Sequence, residues 1–234
     1  MAGASLLPAH GERANLFDWR NLPSLPDEEG FAGTYAGVVG REDEAELVVV
    51  GGANFPNGRP WEGGKKVYHS GIYSLPLREG GEWRKLDDEW PELVGYGMSV
   101  SLPDEGAAVF LGGKQVDPVT GKERALSSVR LVQWVKGQLK ISDLPSLPEG
   151  RSDGVAVLVG TRVIVLAGAT NGEEAGSLET TQTVLAMDMA AEPSARTWTK
   201  LPWPELSPGE PARGRMHAVV GTRNGKVYLF GGRD

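Results

Sequence analysis

The chain has 234 residues, 40% of them hydrophobic, enough to bury a sizeable core in one large or two small domains, and this excludes a disordered chain. Its 33 Gly and 16 Pro follow no triplet period, so a collagen-like structure is excluded and a turn-rich, many-stranded one is favoured over a helix bundle. The absence of Cys removes disulfides, thiolate metal sites and cysteine nucleophiles, while 31 acidic against 24 basic residues argue against generic binding to nucleic acid or anionic membranes.

Residues 1–18 read as an N-terminal extension. Up to Leu16 its only apolar pair, Leu6-Leu7, stands before Pro8 with no basic segment ahead of it, so no signal peptide is expected and the compartment stays open. Aliphatic runs elsewhere, such as 47–50, fall far short of the roughly 20 residues that span a bilayer. Residues 19–26 read as a strand that closes a further unit. From residue 30 a repeat takes over: apolar strands end in small-residue pairs at Gly51-Gly52, Gly112-Gly113, Gly168-Ala169 and Gly231-Gly232, spaced 61, 56 and 63 residues apart counting from Gly51, Gly112, Gly168 and Gly231. Trp-x-x-Leu recurs at Trp19, Trp83 and Trp198, with a Trp-less equivalent at 139–145.

The marks divide residues 19–234 into units at about 30–87, 95–145 and 152–202 and an incomplete one at 213–234, each an antiparallel sheet of four strands when complete. In the second unit the strands are expected at 98–102, 107–111, 129–135 and 139–144. In the last they are expected at 217–220 and 227–230, joined by an Asn224-Gly225 hairpin turn. Such units bury both faces only against neighbours, so the predicted fold is all-β, a kelch-type β-propeller of about four four-stranded blades. The glycine pairs let the backbone turn sharply after the second strand, and Trp83 and Trp198 are expected to be buried between sheets. The strand count is one short of closure at four blades. It predicts an open arc whose apolar end faces favour self-association.

The segments Gly30-Phe31-Ala32-Gly33-Thr34-Tyr35-Ala36-Gly37, Gly51-Gly52-Ala53-Asn54-Phe55-Pro56, Trp61-Glu62-Gly63-Gly64-Lys65-Lys66 and Gly95-Tyr96-Gly97 resemble the cyclically permuted mutarotase family. These are six-bladed kelch propellers related to N-acetylneuraminate epimerase, and the resemblance runs from residue 19 to 233. It implies a sugar isomerase that interconverts anomers of N-acetylneuraminate or a similar sugar without a cofactor, and a chain that looks like about two thirds of a member. It also implies a catalytic Glu and Arg in a Gly-Glu-x-x-Pro-Gly-x-Arg motif. Asn171-Gly172-Glu173 lacks the Pro and has Glu179 near where the Arg belongs, so Glu173 reads as a surface carboxylate and the catalytic residues stay unassigned. On this reading the chain alone accelerates anomer exchange weakly or not at all. The alternative is a non-catalytic propeller that binds a protein or glycan through its loop face. A galactose-oxidase-like copper enzyme needs a Tyr–Cys crosslink, which a chain without Cys cannot form.

In an antiparallel blade the connections into the first strand and out of the second share one face, where a ligand meets the channel. Counting back sixteen residues from the first Gly of each pair places Tyr96, Ser152 and Arg215 near the rim. Arg151, Arg213 and Arg215 offer guanidinium forks for a sugar carboxylate, and Lys65 and Lys66 offer ammonium groups; each is otherwise a solvated loop charge. Asn54 either reads sugar hydroxyls or holds its own loop. Tyr96 either reaches the ligand or packs on a neighbouring loop. His10, His69 and His217 form no metal-binding spacing; His69 is expected in a loop and His217 near the channel.

Overall fold

The computed structural model describes Trp19 and residues 21–234, so the extension at 1–18 lies outside the described residues. Strands make up 51% of the chain. Among the described residues the helices are single 3-10 turns, and none is long and apolar enough to cross a membrane.

Three antiparallel sheets follow one another. The first is built from Tyr35–Val39, Glu46–Val50, Val67–Pro76 and Arg84–Val94, the second from Met98–Leu102, Ala107–Leu111, Val129–Val135 and Gln138–Asp143, and the third from Val155–Val159, Arg162–Leu166, Val184–Asp188 and Thr199–Leu201. Within each sheet neighbours in sequence are neighbours in space. Met216–Arg223 and Lys226–Arg233 form a final hairpin, turned by Asn224 at φ 51 and Gly225 at φ 71, the two left-handed residues that an Asn-Gly turn supplies. The expected strands of the second sheet appear where the alternation places them, the fourth displaced by one residue. Residues 19–26 differ from expectation: among the described residues of that segment there is no strand.

The four first strands, Tyr35–Val39, Met98–Leu102, Val155–Val159 and Met216–Arg223, neighbour one another in chain order, and the amide of Ala36 donates to Ser99 Oγ at 3.1 Å across the first such junction. Sheets that meander outward from adjoining first strands are the blades of a β-propeller. Ala107–Leu111 is buried at every position because it is covered on both faces. Val109 and Leu111 pack with Val163, Val165 and Met187 of the third sheet, while Ala108 and Phe110 pack with Tyr35, Val50 and Ile72 of the first. Tyr35 stacks on Phe110 with centroids 5.0 Å apart, and its hydroxyl donates to the Gly112 carbonyl at 2.5 Å. Each large apolar side chain so buried contributes about 1.5–3 kcal/mol.

Trp90, 3% exposed, is the indole that fills the space between the first two sheets. Trp83 and Trp198, expected there, are only half-buried. Each sits just ahead of the last strand of its sheet and directs its indole N–H to a carbonyl of an earlier segment, Pro23 and Pro145 respectively.

Glycine pairs do close the second strands, both members left-handed: Gly51 and Gly52 at φ 65 and 97, Gly112 and Gly113 at 66 and 91, Gly231 and Gly232 at 62 and 82. In the third sheet the equivalent pair is Ala167 and Gly168, at φ 59 and 91, one residue earlier than the expected Gly168-Ala169. Close approach explains the glycine: a Cβ on Gly112 would lie 2.2 Å from the Arg151 carbonyl oxygen.

Candidate functional site at the channel mouth

Each first strand is entered through a left-handed residue: Gly33 at φ 67, Tyr96 at 58, Asp153 at 55 and His217 at 55. Their backbones form a relay from sheet to sheet. The Tyr96 amide donates to the Gly33 carbonyl at 2.6 Å, the Asp153 amide to the Tyr96 carbonyl at 2.8 Å, and the His217 amide to the Asp153 carbonyl at 2.9 Å. Only glycine adopts this conformation without strain, and each other residue costs about 1–2 kcal/mol, which the relay and the flanking strands sustain. Beside it, one-residue bridges tie the entry into each first strand to the exit from the second: Ala32 with Ala53, Gly95 with Lys114 and Ser152 with Ala169.

The fixed count of sixteen finds Tyr96 but misses its equivalents, Asp153 and His217, giving Ser152 and Arg215 instead. The turns between first and second strands span six, four, two and two residues, and the distance from the left-handed residue to the closing pair shrinks in step, from eighteen to sixteen, fourteen and fourteen.

Around the relay the side chains form one network. Lys114 Nζ lies 4.5 Å from the centroid of the Tyr96 ring and 3.0 Å from Asp153 Oδ2, which also accepts from Ser152 Oγ at 2.7 Å. Asp153 Oδ1 has no hydrogen-bond partner and faces His217 Nδ1 at 3.5 Å. On the other side of Tyr96, Lys66 Nζ lies 5.2 Å from the ring centroid and binds Glu123 Oε1 at 2.9 Å, and the Tyr68 hydroxyl donates to the same oxygen at 2.6 Å. Two lysines thus stand among two carboxylates. Burial raises the pKa of Glu123, but the hydrogen bonds from Tyr68 and Lys66 outweigh it and leave the carboxyl below its ordinary value. The Tyr68 phenol is pushed up, first by burial and then by its bond to Glu123.

Of the residues singled out from the sequence, Lys66 and Tyr96 join this network, and His217 adjoins it through Asp153. Asn54, in the short strand Ala53–Asn54, ties two other segments together rather than holding its own loop, its amide donating to the Gly30 carbonyl at 3.2 Å and its Oδ1 lying 2.7 Å from His69 Nε2. His69 belongs to the strand Val67–Pro76 rather than to a loop, and burial, more than the neighbouring charges of Asp27 and Lys85, holds its pKa below the usual histidine value. Arg151 is 0% exposed; its guanidinium binds Glu149 Oε1 at 2.7 Å and the Thr183 carbonyl at 2.9 Å, closed off from solvent. Arg213 pairs with Asp234 at 2.9 Å on the surface, and Arg215 donates to the Gly231 carbonyl at 2.9 Å. Arg215 lines, with Ile164, Leu201, Trp203 and Tyr228, an apolar cavity of about 760 Å³ between the third sheet and the final hairpin. Glu173 is an exposed loop residue, and its neighbour Asn171 bonds both backbone groups of Ala125. Sequence reasoning missed Lys114, Glu123 and Asp153. Asp153 is reached only by combining the shorter turn with the shift of the closing pair to Ala167; Glu123, in the short strand Glu123–Ala125, gave no signal. Among the described residues no three His, Asp or Glu are placed to hold a metal ion.

No family model matches the chain. It is 31% identical to N-acetylneuraminate epimerase of Haemophilus influenzae over 137 residues, covering 53% of this chain and 32% of that one. Identity is 35% over 132 residues to N-acetylneuraminate epimerase 1 of Escherichia coli O6:H1, with coverage of 53% and 32%, and 28% over 146 residues to the Yersinia pestis protein of that name, with coverage of 55% and 33%. These alignments cover about a third of the length of the curated relatives. Among solved structures, that titled "Structure of YjhT", a β-propeller, superposes with a TM-score of 0.53 at 19% identity, covering 77% of this chain and 48% of that one, a likeness of fold. Over about half its length the chain is related to the N-acetylneuraminate epimerase family.

Proposed function

We propose that this chain serves a sugar isomerase of the mutarotase type, acting on N-acetylneuraminate or a similar sugar acid at the mouth of the propeller channel. Relatedness to proteins named N-acetylneuraminate epimerase supports the type of chemistry. The substrate and the activity of the whole protein are part of the proposal, since these alignments span about a third of the relatives' length.

The observation that carries the reading is the network around Tyr96, where carboxylates, ammonium groups, an imidazole and an aromatic ring meet beside the entries into the first strands. Mutarotation asks for little more. A base takes the anomeric hydroxyl proton, the ring C–O bond breaks as the ring oxygen is protonated, and the opened sugar turns and recloses on the other face. Asn54, Lys65, Lys66, Arg213 and Arg215 remain proposed contacts for the sugar, the guanidiniums being suited to its carboxylate. Arg151, buried as it is, supports the loop beneath.

The test is the rate of exchange between α and β anomers of N-acetylneuraminate, followed by proton NMR with and without the protein. Because the chain itself brings proton-exchanging groups together around Tyr96, acceleration above the spontaneous rate is the expected result, in place of the weak or absent effect expected from the sequence alone. A folded protein that leaves the rate at background overturns the reading.

A further inference from the structure

The carboxylate of Asp153 is unusual among the charged groups of the mouth. Its side chain is only 2% exposed, yet Oδ1 has no hydrogen-bond partner. A buried carboxylate oxygen without a donor costs of the order of 1–3 kcal/mol, so its position calls for a partner. Oδ2 is held from two sides, by Ser152 Oγ at 2.7 Å and Lys114 Nζ at 3.0 Å, which stops the carboxylate from turning to satisfy both oxygens elsewhere. Oδ1 is thereby aimed at the imidazole of His217, whose Nδ1 stands 3.5 Å away and whose side chain is 44% exposed. The backbones of the two residues are locked together by the amide of His217 donating to the Asp153 carbonyl at 2.9 Å. Both are left-handed, a conformation that turns their side chains out of the strand direction.

From this arrangement we propose that His217 is the acid–base group of the channel mouth and that Asp153 is its positioning residue. The proposal rests on the mutarotase reading above and names the group that moves the proton. With Asp153 Oδ1 3.5 Å from Nδ1 and lacking a donor, the favoured tautomer carries its proton on Nδ1 and leaves the free lone pair on Nε2. Nε2 takes the proton of the anomeric hydroxyl of a bound pyranose. The electron pair of that O–H bond forms the carbonyl, the bond from the anomeric carbon to the ring oxygen breaks, and the imidazolium returns its proton to the ring oxygen. The reclosing step runs the same transfers in reverse after the carbonyl has turned its other face. No oxidant, metal or co-reactant enters the balance. Lys114 holds Asp153 Oδ2 in place, and Glu123, 3.9 Å from Lys114, is paired to Lys66 and Tyr68 rather than to the reacting centre.

The experiment uses the whole chain with N-acetylneuraminate as the probe and reads two quantities: the anomer-exchange rate by proton NMR and the 15N signals of His217. His217→Gln is expected to lower the accelerated rate by a factor of about 100 or more, the contribution of a positioned acid or base. Asp153→Asn is expected to shift the His217 tautomer toward Nε2–H and to lower kcat with KM little changed, a signature that simple loosening of the loop would not give. Backbone amide spectra confirm that each variant is folded, and Ser152→Ala, which frees Oδ2 on one side only, is expected to give a smaller effect of the same kind. If the wild-type chain accelerates exchange and His217→Gln does so equally well, the assignment is overturned while the mutarotase reading stands. If the wild-type chain gives no acceleration and its His217 signals do not move on adding the sugar, both fall.

Discussion

The indole N–H of Trp198 donates to the carbonyl of Pro145 at 2.8 Å, and that of Trp83 donates to Pro23 at the same distance. Both prolines stand second in a Leu-Pro-Ser-Leu-Pro segment, at 22–26 and 144–148. The edge of one repeat is thus clipped to the segment following the one before, and the recurring tryptophan is explained by its nitrogen as much as by its bulk. Trp198→Phe keeps the ring and deletes the bond, and a loss of about 1 kcal/mol in urea unfolding is expected. No measurable loss would mean that water replaces the carbonyl without cost.

Substitutions at the pair that closes the second strand should act in opposite directions. Gly112→Ala adds a Cβ 2.2 Å from the Arg151 carbonyl oxygen at φ 66, and a loss of about 3 kcal/mol or more is expected. Ala167→Gly, at the equivalent φ of 59, removes a left-handed strain of about 1–2 kcal/mol and gives back somewhat less in chain entropy. Thermal unfolding should show the first falling well below the parent and the second equal to it or slightly above. A clear destabilisation by Ala167→Gly would refute the strain argument.

Acid should weaken the fold in two stages. The pKa of His69 is held below 6.5, chiefly by burial, and that of Glu123 below 4.5 by bonds from Tyr68 and Lys66 that outweigh burial. A group whose pKa is depressed in the folded state stabilises fully above its unfolded value, and that stability is lost as pH falls through the folded one. Denaturant titrations stepped down from neutral pH should therefore show a decline starting near 6.5 that His69→Gln flattens, and a second starting near 4.5 that Glu123→Gln flattens. Unchanged slopes in the two variants would remove these residues from the account.

The final hairpin presents Val219, Phe230 and Tyr228 to solvent, with Phe230 59% exposed and stacked 6.4 Å from Tyr228. Lys226–Arg233 pairs on one side only, with Met216–Arg223. An apolar face beside an open strand edge invites another chain. Light scattering is expected to show concentration-dependent association that the double substitution Tyr228→Ser, Phe230→Ser reduces; a monodisperse parent at high concentration would contradict this.

Strands and turns were legible where the pattern is local: Asn224-Gly225 located the final hairpin, although its strands Met216–Arg223 and Lys226–Arg233 run well beyond the expected 217–220 and 227–230, and the second sheet could be drawn almost to the residue. What fixed counting could not supply was phase across repeats, because the first turn of each sheet differs in length and carries the mouth residue with it. The cluster itself was half-legible. Tyr96 and Lys66 stand in recognisable segments, whereas Glu123 meets Lys66 and Tyr68 from the short strand Glu123–Ala125 of the next repeat, a meeting decided by packing. Arg151 looked like an exposed loop cation, and only the surrounding Glu149 and Thr183 draw it inside.

The relay at the mouth is made by amides and carbonyls, so the side chain at each of its stations takes no part in holding it. A hydrogen, a phenol, a carboxylate and an imidazole occupy the four stations in turn, at nearly the same backbone angles. At Gly33 a Cβ would lie 2.8 Å from the Tyr96 amide nitrogen, so glycine is required there, but the other three stations are fixed sockets in which asparagine, aspartate or histidine are tolerated at modest strain. A single codon change at a socket can alter the acidity, charge or reach of the opening while the sheets stay as they are, and a scaffold of this kind can move from one ligand chemistry to another by steps that each leave a folded protein.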